Sequence, residues 1–227
     1  MPAKEKEQKT KKPKEKINQA LPINLHVRIN SIVPGNGSKL RATASVGMNG
    51  CFAVRGVKIY EGPKGLFVTM PNYKSAKGEY RDYCHPVTKK FREQLNNAVL
   101  EAYRKTAVQQ GQIPFTELPP ASPMKIDVRI TALTPGSVNQ RASATVNLND
   151  NFALKGIKIM EGQKGLFVHT PSYKSGEEYR EHYFPTTKEF REQFHEAVLN
   201  AYDAAIVQSQ ESAAHEYSEE PAMAQSM

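Results

Sequence analysis

The chain has 227 residues, 31 Lys and Arg against 23 Asp and Glu, a formal charge of +8, and two cysteines, Cys51 and Cys84. It lacks any run of roughly 18 apolar residues, and its lysine-rich start does not read as a secretory signal, so the sequence predicts a cytoplasmic protein without a membrane span. Two cysteines build neither a disulfide framework nor a zinc site, and a reducing compartment is expected.

Residues 1–20 are charged and almost free of large apolar groups, and read as a disordered basic arm. From Leu25 the pattern alternates, with Leu25, Val27 and Ile29 on one side and His26, Arg28 and Asn30 on the other, up to the Pro34-Gly35 turn. Ala42, Ala44, Val46 and Met48 predict a second strand, and Asn49-Gly50 a tight hairpin. In the third strand Phe52 and Val54 are apolar at even positions but Val57 and Ile59 at odd ones. A bulge at Gly56 would restore the apolar face. Leu66, Val68 and Met70 follow the EGPKG turn as a fourth strand ended by Pro71, and residues 72–80 read as a polar loop. Thr88 then caps a helix whose apolar stripe is Phe91, Leu95, Ala98, Val99 and Ala102.

The whole pattern returns. Arg41–Ser75 and Arg141–Ser175 align without a gap, and 21 of 35 positions are identical. The hairpin recurs as Asn149-Asp150, the slip at Gly156, and the helix as Thr187, Phe190, Phe194, Ala197, Val198 and Ala201. The expected fold class is α+β: two tandem β-β-β-β-α units, at 21–110 and 125–208, each an antiparallel sheet covered by its C-terminal helix. A Pro-rich linker, 111–124, joins them, and an acidic tail, 209–227, is expected to be disordered. Two small units with marginal cores gain by packing together, which predicts an intramolecular pseudo-dimer formed by strand-to-strand contact.

The positive charge is not shared equally. Lys and Arg stand against Asp and Glu as 7 to 3 in residues 1–20 and 14 to 5 in 21–110, but as 10 to 10 in 125–203. A basic first unit and arm point to nucleic acid as the partner.

At EGPKGLFVTMP, EYRDYCHPVT and FREQLNNAVLEAY the chain resembles the stage V sporulation protein G, or septation protein G, family, and the resemblance spans both copies. It implies a cytoplasmic regulator of division or sporulation that binds DNA or RNA, built from two fused copies of a unit that elsewhere pairs as a homodimer. It also implies that basic residues of the loop before the helix take part in binding. The first copy keeps Arg81-Asp82 and His85-Pro86; the second has Arg180-Glu181 and Phe184-Pro185, with Thr170 in place of Met70.

The candidate nucleic-acid-binding residues are Lys74, Lys77 and Arg81 with Tyr73 and Tyr80 interleaved, then Lys89, Lys90 and Arg92 at the helix start. Cations beside flat rings suit a phosphate backbone with stacked bases. Lys89 and Arg92, three apart, are expected to share a face. The second copy retains Lys174 and Arg180, but Lys77 gives way to Glu177-Glu178, Lys90 to Glu189 and Arg104 to Asp203. These changes assign binding mainly to the first unit, with the second as its dimer partner. The alternative is a protein-interaction or scaffold module in division or gene regulation, with the charge incidental.

Nothing predicts an enzyme, a cofactor or a metal site. EGPKG lacks phosphate-loop spacing and reads as a hairpin turn. Cys84 and His85 are neighbours on an extended segment, which points their side chains apart, and the six histidines are scattered.

Overall fold

The computed structural model describes residues 21–35, 37–109 and 119–218, with side chains as far as residue 212; the expected basic arm, the first part of the linker (111–118) and the end of the expected acidic tail (219–227) lie outside the described residues. The first unit opens with β1 (Leu25–Ile32), β2 (Leu40–Met48), β3 (Phe52–Gly62) and β4 (Gly65–Thr69), all antiparallel. The alternation read from the sequence is the burial pattern: Ala42, Ala44, Val46, Met48, Phe52, Val54, Val57 and Ile59 are all buried. Asn49 and Gly50 both have positive φ, as the two-residue turn requires. The β2–β3 register shifts between Ala44 and Val46, opposite Gly56, whose φ is +75°. The expected bulge is there.

The polar loop is where the structure departs from a four-strand unit. Asn72–Lys74 (β5) and Tyr80–Asp82 (β6) form a small hairpin, and Cys84–Pro86 (β7) is a further short strand before the helix α1 (Lys89–Val108). Each has only three residues, too few to show an apolar period. The second unit repeats the plan as β8 (Ile126–Leu133), β9 (Gln140–Leu148), β10 (Phe152–Gly162), β11 (Gly165–His169), β12 (Ser172–Ser175), β13 (Glu178–Glu181), β14 (Tyr183–Pro185) and α2 (Lys188–Ser218). The helix thus runs through the first half of the tail expected to be irregular, because Gln, Glu and Ala at 208–214 favour helix.

The two units exchange strands. β7 pairs with β10 of the second unit, Cys84 opposite Leu154, and β14 pairs with β3 of the first, Tyr183 opposite Val54. Each long third strand therefore has two partners along one edge. β4 pairs with β3 from Lys58 to Gly62, and β14 pairs with it from Phe52 to Val54. The glycine bulge lies between them, where one edge partner hands over to the next. The Arg55 and Lys155 amides continue the exchange by donating to the carbonyls of His182 and Tyr83, each at 2.7 Å.

The core is correspondingly one cluster across both units. Phe52 of the first unit lies within 6.3 Å, centroid to centroid, of Tyr183, Phe190 and Phe194 of the second, and Phe91 meets Phe152 edge-on. Thr88 caps α1, its Oγ1 accepting from the Phe91 amide at 3.2 Å, and Thr187 does the same for Phe190. The chain entering each unit is seated on the other unit's hairpin. Asn149 Nδ2 donates to the Pro22 carbonyl and Asn49 Nδ2 to the Pro123 carbonyl, both at 3.1 Å. A Cβ at Gly50 would stand 2.3 Å from the Pro119 carbonyl oxygen, so the end of the linker passes directly over this turn.

Candidate nucleic-acid interface

The hairpin β5–β6 carries the first set of candidates, and its ladder divides them between two faces. Tyr73 stands opposite Arg81, and Lys74 opposite Tyr80. Directly opposed residues share a face and successive ones alternate, so Tyr73 and Arg81 look one way and Lys74 and Tyr80 the other. Lys77 projects from the exposed turn between them. Tyr80 is 74% exposed and Tyr73 42%, so both rings retain free surface. Arg81 Nη2 approaches Glu79 at 3.2 Å, an exposed pair of little strength.

Tyr73 is not a free-standing platform. Its ring lies 4.8 Å from that of Tyr83, which stacks at 4.5 Å on His182, which in turn lies 4.9 Å from Tyr173. The four rings form a row across the boundary between the units, made of the same two positions from each copy. Burial, with Tyr73 next, pushes the Tyr83 hydroxyl above its ordinary value. Burial and then Lys58 hold His182 below its own.

The helix-start cations go three ways. Arg92 donates to the Pro86 carbonyl at 3.1 Å and lines, with Arg81, a cleft of about 440 Å³. Lys89 lies 3.8 Å from Glu93 one turn along the helix. Lys90 lines a different cleft, with Pro22, Ile23, Gln94 and Asn151. Lys89 and Arg92 are both exposed, three apart on α1 and away from the buried Phe91 and Leu95, but their side chains take different partners: Arg92 a backbone carbonyl and Lys89 its i+4 glutamate.

Three residues of the Arg81–Arg92 cleft are not among the candidates taken from the sequence: Asp82, His85 and Lys155. Its walls are completed by Tyr73, Asp82, His85 and Lys155. Lys155 belongs to the second unit and arrives beside β7 only through the strand exchange. Burial, then Lys155, lowers the His85 pKa; Asp82 opposes and Arg92 adds to the lowering. The single sequence signal pointing here was the period slip at Gly156, immediately after Lys155.

The second unit's counterparts are arranged differently. Tyr173 stands opposite Arg180 and Lys174 opposite Tyr179, as in the first hairpin. Arg180 lies 3.6 Å from Glu178. Arg55, the counterpart of Lys155, places its guanidinium 4.0 Å above the Phe184 ring. Glu181 accepts a hydrogen bond from the Thr170 hydroxyl, which Met70 could not donate in the first copy.

Cys84 is fully buried on β7 while His85 is half-buried on its opposite side. Burial pushes the Cys84 thiol far above its ordinary value, so it stays protonated near neutrality. EGPKG is the β3–β4 turn, Gly62 opposite Gly65. No helix among the described residues is long and apolar enough to cross a membrane.

The repetition is also what comparison with other sequences finds. The sequence model of the SpoVG family matches twice, over residues 23–105 and 124–204. The chain belongs to the SpoVG family. Among its relatives are three proteins named "Putative septation protein SpoVG". That of Treponema denticola is 41% identical over 86 residues, 38% of this chain and 90% of the relative. Those of Heliobacterium modesticaldum and Desulforudis audaxviator are 49% and 44% identical over 67 and 77 residues, covering 30% and 34% of this chain and 75% and 85% of theirs. Each match is the length of one copy, so this chain is a tandem pair of a unit that its relatives carry within a single match.

Proposed function

We propose that this SpoVG-family protein is a cytoplasmic regulator of septation that binds DNA or RNA, chiefly through the hairpin and helix start of its first unit. The observation that carries the reading is the first hairpin. Lys74, Lys77, Tyr80 and Arg81 are all exposed on it, and the turn of the corresponding second hairpin bears Glu177 in place of Lys77, while Glu178 answers Glu79 of the first. Exposed cations with a free tyrosine ring suit a sugar-phosphate backbone contacted in an extended path. The septation role follows the names of the relatives.

A scaffold role in division draws on a different observation. Phe67 and Phe167 occupy the same position of the two copies and remain 47% and 45% exposed. Apolar groups repeated on both outer surfaces suit a protein partner.

Fluorescence anisotropy of the full chain against labelled duplex DNA, single-stranded DNA and RNA, at two salt concentrations, separates the two. Saturable binding that weakens with salt, and weakens further in K74A/K77A/R81A, supports the nucleic-acid reading. Removing three phosphate contacts lowers the log–log salt slope by about two to three. No binding to any of the three at low salt would sink it and leave the scaffold role.

A further inference from the structure

We infer that the cleft between β6, α1 and the second unit's β10 is a composite phosphate subsite, in which Lys155 of the second unit joins Arg81 and Arg92 of the first on one phosphodiester group. This deepens the proposed nucleic-acid reading and rests on it.

Three cations line one cleft from three separate elements; Asp82 is the one carboxylate on its walls, and Glu79 pairs with Arg81 beside it. Like charges around one cleft repel, and an anion seated among them relieves the repulsion while accepting several charge-assisted hydrogen bonds. Arg92 is already oriented, because one arm of its guanidinium is fixed on the Pro86 carbonyl and the remaining donors are left for a ligand. Lys155 is exposed and lies between the backbone bond that its amide donates to Tyr83 and the bulge at Gly156. Its chain position is therefore set by the exchanged strand. Tyr73, exposed on the same wall, offers a ring for the base or sugar next to that phosphate.

The pseudo-symmetric place is built otherwise. There the cation is Arg55, and it lies over the Phe184 ring, where the first cleft has His85. A guanidinium stacked on an aromatic face is engaged by its own protein, and Phe184 contributes no donor. The two junctions are thus unequal, and the second unit contributes to binding through its β10 cation and not only as a dimer partner.

The test compares the full-length wild type with K155A, K155Q and R55A against the labelled nucleic acid that the wild type binds best. Losing one phosphate contact lowers the log–log salt slope by about one, which at 0.1 M salt is a roughly five- to tenfold weakening. Both Lys155 variants are expected to show it, with melting temperatures unchanged because the side chain is exposed. R55A is expected to change affinity less than about twofold, below the effect of one phosphate contact. Wild-type-like affinity and slope in both Lys155 variants overturns this subsite while leaving the nucleic-acid reading intact. An R55A loss as large as that of K155A overturns the inequality of the two junctions. A wild type that binds no nucleic acid overturns both readings.

Discussion

Tyr83 and His182 occupy the same position of the two copies, and in the folded chain their rings stack on one another, centroids 4.5 Å apart and planes within 23°. A position that meets its own counterpart marks the pseudo-two-fold axis. Here it also joins the two hairpins, because Tyr73 and Tyr173 extend the row on either side. The asymmetry of the pair, phenol against imidazole, puts a titratable group at the centre of the molecule.

That group makes stability depend on pH. Burial and the nearby Lys58 hold His182 below its ordinary 6.5, and its Nδ1 is buried with no hydrogen-bond partner among the described residues. The unfolded chain therefore binds a proton more readily than the folded one. The stabilising contribution is present above about pH 6.5 and is lost as the pH falls through the lower folded value. His85 and His195 are shifted in the same direction, by burial first. Thermal unfolding between pH 8 and pH 5 is expected to show a falling midpoint below about pH 6.5, and H182Q to flatten part of that fall. A midpoint that rises on acidification, or an H182Q curve parallel to wild type, would contradict this.

Cys84 and Tyr183 likewise share one position, and both are fully buried. Tyr183 donates its hydroxyl to the Lys155 carbonyl at 2.6 Å, tying the exchanged strand β14 back to β10 of its own unit, and the Cys84 thiol is among the groups acting on it. The same position thus holds a large side chain on one exchanged strand and a small one on the other. Y183C is expected to cost about 3 kcal/mol through the cavity and the orphaned carbonyl. C84Y is expected to cost about 1–3 kcal/mol by overpacking. The exchanged double variant C84Y/Y183C should recover more than half of the summed loss in urea unfolding. Additive costs would show that the two positions do not compensate one another.

Thr88 does more than cap its helix. Its hydroxyl also donates to Asn151 Oδ1 at 3.0 Å, and Asn151 Nδ2 donates to the Leu21 carbonyl at 2.7 Å. Thr187 is the same cap in the second unit, but Cys51 stands where Asn151 would answer it. T187A is expected to cost about 1 kcal/mol, the ordinary value of a lost cap, and T88A about 1–2 kcal/mol. A T88A/N151A cycle should show a coupling of at least about 0.5 kcal/mol. Equal costs for the two threonines would remove the link across the boundary.

Much of this fold is legible in the sequence. The strands β1–β4 and the helix α1 each repeat an apolar period over five residues or more, and the Gly56 slip showed as a change of parity. What the slip was for did not show, because the handover from β4 to β14 depends on a strand from the other copy. Cys84–Pro86 has three residues and no period of its own, so its partner could not be read. The site followed the same division. The basic hairpin was visible as composition, but Lys155 comes beside Arg81 and Arg92 only after the exchange. Lys90, adjacent in sequence to the others, faces elsewhere because the helix turns it to another cleft.

The exchanged strands give the tandem arrangement a further consequence. When separate copies complete one another's sheets, the fraction assembled falls on dilution, and any substitution appears on both sides of the axis at once. In one chain the partner is always present at a fixed, high effective concentration, so assembly becomes insensitive to how much protein a cell makes. Each substitution is also felt only once. Arg55 and Lys155, Phe184 and His85, and Tyr183 and Cys84 are choices that a symmetric pair could make only in duplicate.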